Sequence, residues 1–373
     1  MKVLSVFFLA FTISICGYTQ NKDISPLEIG TFAPDFHLPG VDDKNYSLQD
    51  FSGHDYLVVL FTCNHCPTAQ AYEDKFIQIV KDFSSRGVGF VAISPNAPSA
   101  ISLSELGYTD LGDDLDDMKI RVKEKGYNFP YLYDGENQEI SMKYGPLATP
   151  HVFIFDKERK LRYSGRIDDT ENPYIEPRES TMINALNNLI AGKPIAEPST
   201  KTFGCSIKWS WKDEWAKKQL EEWSKAPIAL EEADIEKIKT IMKNDGPNLR
   251  MVNVWASWCG PCIIEFPELV VIDRMYRGRD FEFVSVSADY LSKKDKALQI
   301  LQKKEASNQN YIFSGQDIYQ LIEAVDKKWQ GSLPYTALVA PGGEVIYRIE
   351  GAIDPLILKQ KIVGYLGRFY ADE

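Results

Sequence analysis

Two stretches of this chain place two cysteines with two residues between them, FTCNHCPTA at residues 61–69 and VWASWCGPCI at residues 254–263. Such a pair suits a disulfide that opens and closes in use: one thiolate attacks a partner's disulfide, and the second thiol then displaces the product. In the second stretch an apolar run ends just before the pair and a helical pattern follows it, so Cys259 falls at a helix start. Unpaired N–H groups and the helix dipole there lower a thiol pKa from ~8.5 into the range of ~3.5 to 7.5. Cys259 is therefore expected to be the nucleophile and Cys262, one turn deeper, the resolving thiol. Gly260 and Pro261 let the turn close, since proline at a helix start gives up no bonded N–H. An inert disulfide or half of a zinc site would use the same spacing, but each pair follows its own strand, which argues against one shared zinc.

In the first stretch His65 directly precedes Cys66. An imidazole there can pair with the Cys63 thiolate, stabilising the reduced form and raising the reduction potential. Cys63, His65 and Cys66 could also hold Cu(I), for which soft thiolates are selective. Cys205, in FGCSIKW, is either a buried free thiol or a third redox partner for Cys63 or Cys66.

The elements that position these residues repeat in order. In the second half, Met251–Trp255 reads as a buried strand, and Phe266, Leu269, Ile272 and Tyr276 recur at helical spacing after the cysteines. FEFVSVS at 281–287 is a strand, 294–304 a helix, 335–350 a hairpin turning at Pro341-Gly342-Gly343, and 355–366 a closing helix. In the first half, YLVVLF at 56–61 is the strand, Tyr72, Phe76, Val80 and Phe83 mark the helix, 89–94 is the next strand, 151–165 a hairpin and 180–191 the closing helix. Between the halves four tryptophans occur, and Trp211 and Trp215 suggest an amphipathic bridging helix. The acidic run 110–117 (DLGDDLDD) lacks calcium-loop spacing and reads as an exposed helix start.

A chain of 373 residues suits two domains. A formal charge of −11 argues against a nucleic-acid partner, which would call for a basic surface. The opening MKVLSVFFLAFTISICGYTQ has one lysine, an apolar run too short to span a bilayer and a polar, small-residue end, the layout of a secretory signal. Membrane contact is expected only if Cys16 is acylated, and Ile15 before it is larger than the usual residue there. Export exposes the cysteines to oxidants, so the pairs are expected to spend time as disulfides.

With Leu333-Pro334 ahead of the hairpin, WASWCGPC and its helix resemble the thioredoxin fold over roughly residues 229–373. The resemblance implies a cis proline at Pro334 facing the disulfide, backbone contact to a substrate chain at Leu333, and supporting roles for Trp258 and Glu265. Asn253 in place of a buried Asp, with Glu265 three residues after Cys262, is similar to exported TlpA/ResA-type reductases, in which that Glu tunes the buried thiol. The first half is similar to the redoxins of the alkyl hydroperoxide reductase and thiol-specific antioxidant group. The residues that carry this are GTFAPDF at 30–36, Cys66-Pro67, and Thr149-Pro150 at the cis-proline position. Peroxiredoxins carry PxxxTxxC; aligned on Cys66, Val59 and Cys63 replace the Pro and Thr, which removes the hydroxyl that would position a hydroperoxide.

The expected fold class is α/β, two thioredoxin-like folds in tandem, each a mixed central β-sheet flanked by helices. The expected organisation is a signal at 1–19, a redoxin domain at 26–208, a Trp-rich helical bridge at 209–228 and a thioredoxin domain at 229–373. The expected activity is thiol–disulfide exchange on protein disulfides in the periplasm, with no cofactor, a membrane-linked thiol electron donor and a relay of electrons between domains. The competing readings are a thiol peroxidase recharged by the second domain and the Cu(I) module.

Overall fold

The computed structural model describes residues 24–170 and 175–369, so the expected signal and Cys16 lie outside the described residues. Two mixed sheets organise the chain. The first runs in the order Tyr131–Tyr133, Val88–Ser94, Tyr56–Phe61, His151–Phe155, Leu161–Gly165. The second runs Glu231–Ala233, Gln309–Phe313, Phe281–Ser287, Leu249–Trp255, Tyr335–Val339, Val345–Glu350.

In each sheet the strand leading to the cysteines is central, parallel to one neighbour and antiparallel to the other: Val59 lies opposite Val91 and Phe153, and Val252 opposite Val284 and Ala337. A strand covered on both faces needs apolar residues throughout, which is what YLVVLF supplies. Val58 and Leu60 pack with Tyr72, Phe76 and Val80 on one face, and Leu57, Val59 and Phe61 with Tyr144, Phe153 and Phe155 on the other. The second sheet divides alike, Met251 and Trp255 joining Phe266 and Tyr276, and Val252 and Val254 joining Ile238 and Val339.

The helix after each strand sits where the spacing predicts, at Pro67–Phe83 and Gly260–Tyr276. The second helix also contains Pro267, which removes one bond from its ladder.

The bridge differs in detail from expectation. Its helix runs Glu214–Ser224, and Trp211 lies before it in the short turn Ser210–Lys212, stacked on Trp209 with 4.9 Å between ring centroids. Trp215 is exposed, while Trp223 meets Arg274 and Arg277 of the Gly260–Tyr276 helix at 5.3 and 5.8 Å. Cation–π contact with that helix, rather than an apolar face shared by Trp211 and Trp215, anchors the bridge.

The acidic run also departs from expectation. Asp114 caps the helix Leu115–Lys125 at an exposed start, as expected, but Asp110 and Asp113 are buried. Asp110 pairs with Arg368 at 2.6 Å, beside two further contacts between the halves: Tyr276 Oη donates to the Thr109 carbonyl at 2.7 Å and Arg279 to the Gly107 carbonyl at 3.0 Å.

Candidate redox sites

In the second half Cys259 is the N-cap of the Gly260–Tyr276 helix, its sulfur accepting the Cys262 N–H at 3.3 Å, and the two cysteines are joined as a disulfide. The sulfurs are nearly covered, whereas Trp258 (69 % exposed) and Ile264 (79 % exposed) stand out beside them. Large apolar side chains left in water around a reactive pair form a surface on which another chain can settle. The Leu333-Pro334 bond is cis.

Behind the pair, Asn253 donates to Glu265 Oε1 at 3.2 Å and to Thr336 Oγ1 at 2.9 Å, and the Ile353 N–H donates to Glu265 Oε2 at 2.9 Å. Burial pushes the Glu265 carboxyl up, against the pull of those two donors. Asp289, which the sequence pattern did not single out, accepts from Ser257 N–H at 2.7 Å and Ser257 Oγ at 2.8 Å. It fixes the turn leading to Trp258 and Cys259.

The first centre is built on a different register. The helix begins at Pro67, so its N-cap is Cys66, whose sulfur accepts the Ala69 N–H at 3.4 Å. Cys63 lies before the helix, with its sulfur 3.3 Å from Thr149 Oγ1. Cys66, not Cys63, therefore holds the place that Cys259 holds in the second half. Both sulfurs are buried and free, and the Thr149-Pro150 bond beside them is cis.

The expected pairing of His65 with Cys63 gives way to another partner. His65 Nδ1 lies 2.6 Å from Asp113 Oδ2, and the backbone N–H groups of Asn64 and His65 donate to Asp113 Oδ1 at 2.8 and 3.0 Å. Asn96 completes the set with a bond to Asp113 Oδ2 at 2.8 Å. Asp113 thus ties down the CNHC turn, a role hidden in the sequence because the residue sits in a run of charges. Burial disfavours the charge on His65, but Asp113 outweighs it and raises the imidazole pKa. The Nε2 atom of His65 is buried without a hydrogen-bond partner.

The charge in this centre gathers on Cys66. Burial opposes the thiolate, yet donation from Cys205 and Cys63, the His65 charge and the Ala69 N–H hold the Cys66 pKa well below the ordinary value. Burial and the neighbouring Cys66 push Cys63 well above it. Cys205, half-buried, faces Thr149 across a short antiparallel pair and gives its N–H to Cys66 Sγ at 3.4 Å. Cys63, His65 and Asp113 also form a cluster whose ligand atoms lie within 4.8 Å of one another.

Residues 29–164 match the model of the AhpC/TSA family and residues 238–361 that of the Redoxin family. Over 124 residues the chain is 25 % identical to the thiol-disulfide oxidoreductase ResA of Oceanobacillus iheyensis, covering 31 % of this chain and 54 % of that protein. Over 84 residues it is 32 % identical to a peroxiredoxin-named protein of Mycobacterium tuberculosis, covering 22 % of this chain and 52 % of that one. It spans about half the length of either relative. A solved hypothetical protein from Sinorhizobium meliloti is 29 % identical, covering 50 % of this chain and 97 % of its own, with a TM-score of 0.45. An AhpC/TSA-family match followed by a Redoxin-family match therefore lies on two thioredoxin-like folds in tandem.

Proposed function

We propose that this chain is an exported thiol–disulfide oxidoreductase that exchanges disulfides with protein substrates through Cys259 and Cys262, and passes electrons between that pair and the thiols of the first domain. The observation that carries the reading is the Cys259–Cys262 disulfide at a helix N-terminus, flanked by exposed Trp258 and Ile264, with cis Pro334 heading the strand next to the one that leads to the pair.

In the reduced state the Cys259 thiolate attacks a substrate disulfide. The Cys259–substrate bond forms, the substrate bond breaks, and the departing substrate sulfur leaves as thiolate. Cys262 gives up its proton and attacks Cys259, which restores the disulfide seen here and releases the second substrate sulfur. Glu265, one helical turn past Cys262 and with its carboxyl pushed up by burial, is suited to accept and return that proton. Leu333 before the cis proline offers its backbone to the substrate chain. Export rests on the apolar N-terminal run, and is tested by fractionating cells that express the full chain. The exchange itself is tested by insulin reduction with dithiothreitol as the reductant, in the full chain with Cys63, Cys66 and Cys205 changed to serine. Loss of turnover on adding Cys259→Ser supports it, and unchanged turnover refutes it.

A second reading, a Cu(I)-holding module, has one observation in its favour: His65, clustered with Cys63 and Asp113, binds Asp113 through Nδ1 and leaves Nε2 buried and unpaired. A carboxylate on one imidazole nitrogen is the usual support for a metal on the other. Peroxidase action has less behind it, because Cys63 stands where a peroxide-positioning hydroxyl belongs.

A further inference from the structure

Cys205 takes no part in the exchange described above, yet it is the sulfur of the first centre that comes nearest to solvent. Cys63 and Cys66 are 2 % and 0 % exposed, below the 5 % of Cys259, so a protein partner meets Cys205 before either. Cys205 is only half-buried.

Its place is built rather than incidental. Gly204 has φ +121°, and a Cβ there would stand 2.1 Å from the Thr149 carbonyl oxygen. Only glycine lets the Cys205–Ser206 strand lie this close to Ala148–Thr149. The pairing sets Cys205 opposite Thr149, whose hydroxyl lies 3.3 Å from Cys63 Sγ and whose carbonyl lies 3.3 Å from Cys66 Sγ. Cys63, Cys66 and Ala69 form one small cluster, with Cys205 packed against it.

We propose that the first centre is a three-sulfur relay in which Cys66 alternates between two disulfides, an inner one with Cys63 and an outer one with Cys205, and that protein dithiols attack the outer one at Cys205. This rests on reading the first domain as a thiol exchanger.

The exchange balances at each step. Starting from an inner Cys63–Cys66 disulfide, Cys205 loses its proton to solvent and its thiolate attacks Cys66 Sγ. The Cys66–Cys205 bond forms, the Cys63–Cys66 bond breaks, and Cys63 leaves with the electron pair and takes up a proton. A thiolate of the partner dithiol then attacks Cys205 Sγ, expelling Cys66. A helix N-terminus stabilises that leaving thiolate, and a stabilised thiolate leaves faster. The partner's second thiol closes its own disulfide and frees Cys205, which is protonated. Over the cycle the partner dithiol loses two electrons and two protons; the centre gains both electrons and one proton, Cys66 remaining a thiolate, and the other proton goes to solvent.

The test uses the full chain carrying Cys259→Ser and Cys262→Ser, so that the second pair is silent. With Cys63→Ser added, the protein is oxidised by oxidised glutathione, free thiols are alkylated and the peptides are mapped by mass spectrometry, after a thermal melt has confirmed folding. A Cys66–Cys205 linked peptide is expected. Glutathione held on Cys66 with Cys205 alkylated would overturn the relay, and Cys63→Ala repeats the measurement if the serine variant does not fold. In the parent, absence of oxidation at Cys63, Cys66 and Cys205 alike would instead overturn the exchanger reading of the first domain. As a second readout, Cys205→Ser should slow reduction of the oxidised centre by reduced thioredoxin about tenfold, while dithiothreitol, small enough to enter, is affected less. Equal loss with both reductants would contradict an entry role.

Discussion

Cys66 and Cys259 hold equivalent places in the two folds, each the N-cap of the helix that follows a central strand, but their CxxC partners lie on opposite sides of them. Cys262 follows Cys259 one turn into its helix; Cys63 precedes Cys66 in the loop. The two motifs are alike in letters and offset in space. This is why the first centre gathers charge on its second cysteine, whereas the helix-start position of the second centre belongs to its first.

The offset predicts which thiol ionises first. In a Cys259→Ser/Cys262→Ser background, thiolate absorbance should show a phase below the ordinary cysteine range. Cys66→Ser should remove that phase and Cys63→Ser should keep it, in line with the lowered pKa of Cys66 and the raised pKa of Cys63. Retention of the phase in Cys66→Ser would assign the thiolate elsewhere.

Glu265 carries the pH dependence of the second centre. Its folded pKa is raised, so the protonated form suits the fold better. Stability from this group is therefore present at low pH and falls as pH rises from its ordinary 4.5 through the folded value. Glu265→Gln should flatten that fall in a series of thermal melts. The same variant should slow release of the mixed disulfide about tenfold or more, since a positioned proton acceptor contributes on that order. An unaltered pH profile in both measurements would exclude Glu265 as the proton acceptor.

Asn253 is buried and donates to both Glu265 and Thr336, so Asn253→Ala leaves acceptors without a donor. A loss of about 2 kcal/mol in urea unfolding is expected. A cost near zero would show that these bonds are replaced.

Copper separates the two readings of the first centre. The Cys259→Ser/Cys262→Ser protein, reduced and given Cu(I) with a competing chelator, should hold little of the metal if the centre is an exchanger. Stoichiometric retention that disappears with His65→Ala would favour the metal module instead.

Much of this architecture was legible in the amino-acid pattern. The strands YLVVLF and MVNVW, the helices after them and both X-Pro sites announce themselves through local periodicity and motif. What escaped is long-range. Asp113 lies in DLGDDLDD, where a run of charges normally means a solvated helix start, and only the folded chain shows it under the CNHC turn. His65 stands next to the cysteines in sequence, which points to Cys63, although its partner is 48 residues away. The approach of Cys205 to Cys66 depends on a two-residue strand and on Gly204, neither of which leaves a periodic signal.

Two unlike centres that pass electrons in one direction must differ in reduction potential. A thiolate stabilised in the reduced form makes its disulfide the stronger oxidant, and about 30 mV corresponds to a tenfold bias for a two-electron couple. Variants of the full chain retaining either the first-domain thiols or the Cys259/Cys262 pair would be equilibrated against glutathione and dithiothreitol buffers. The first-domain centre should show the higher potential, and His65→Ala should shift that value toward the Cys259/Cys262 pair. A higher potential for Cys259/Cys262, or a first centre unmoved by His65→Ala, would contradict the relay and leave two independent exchangers on one chain.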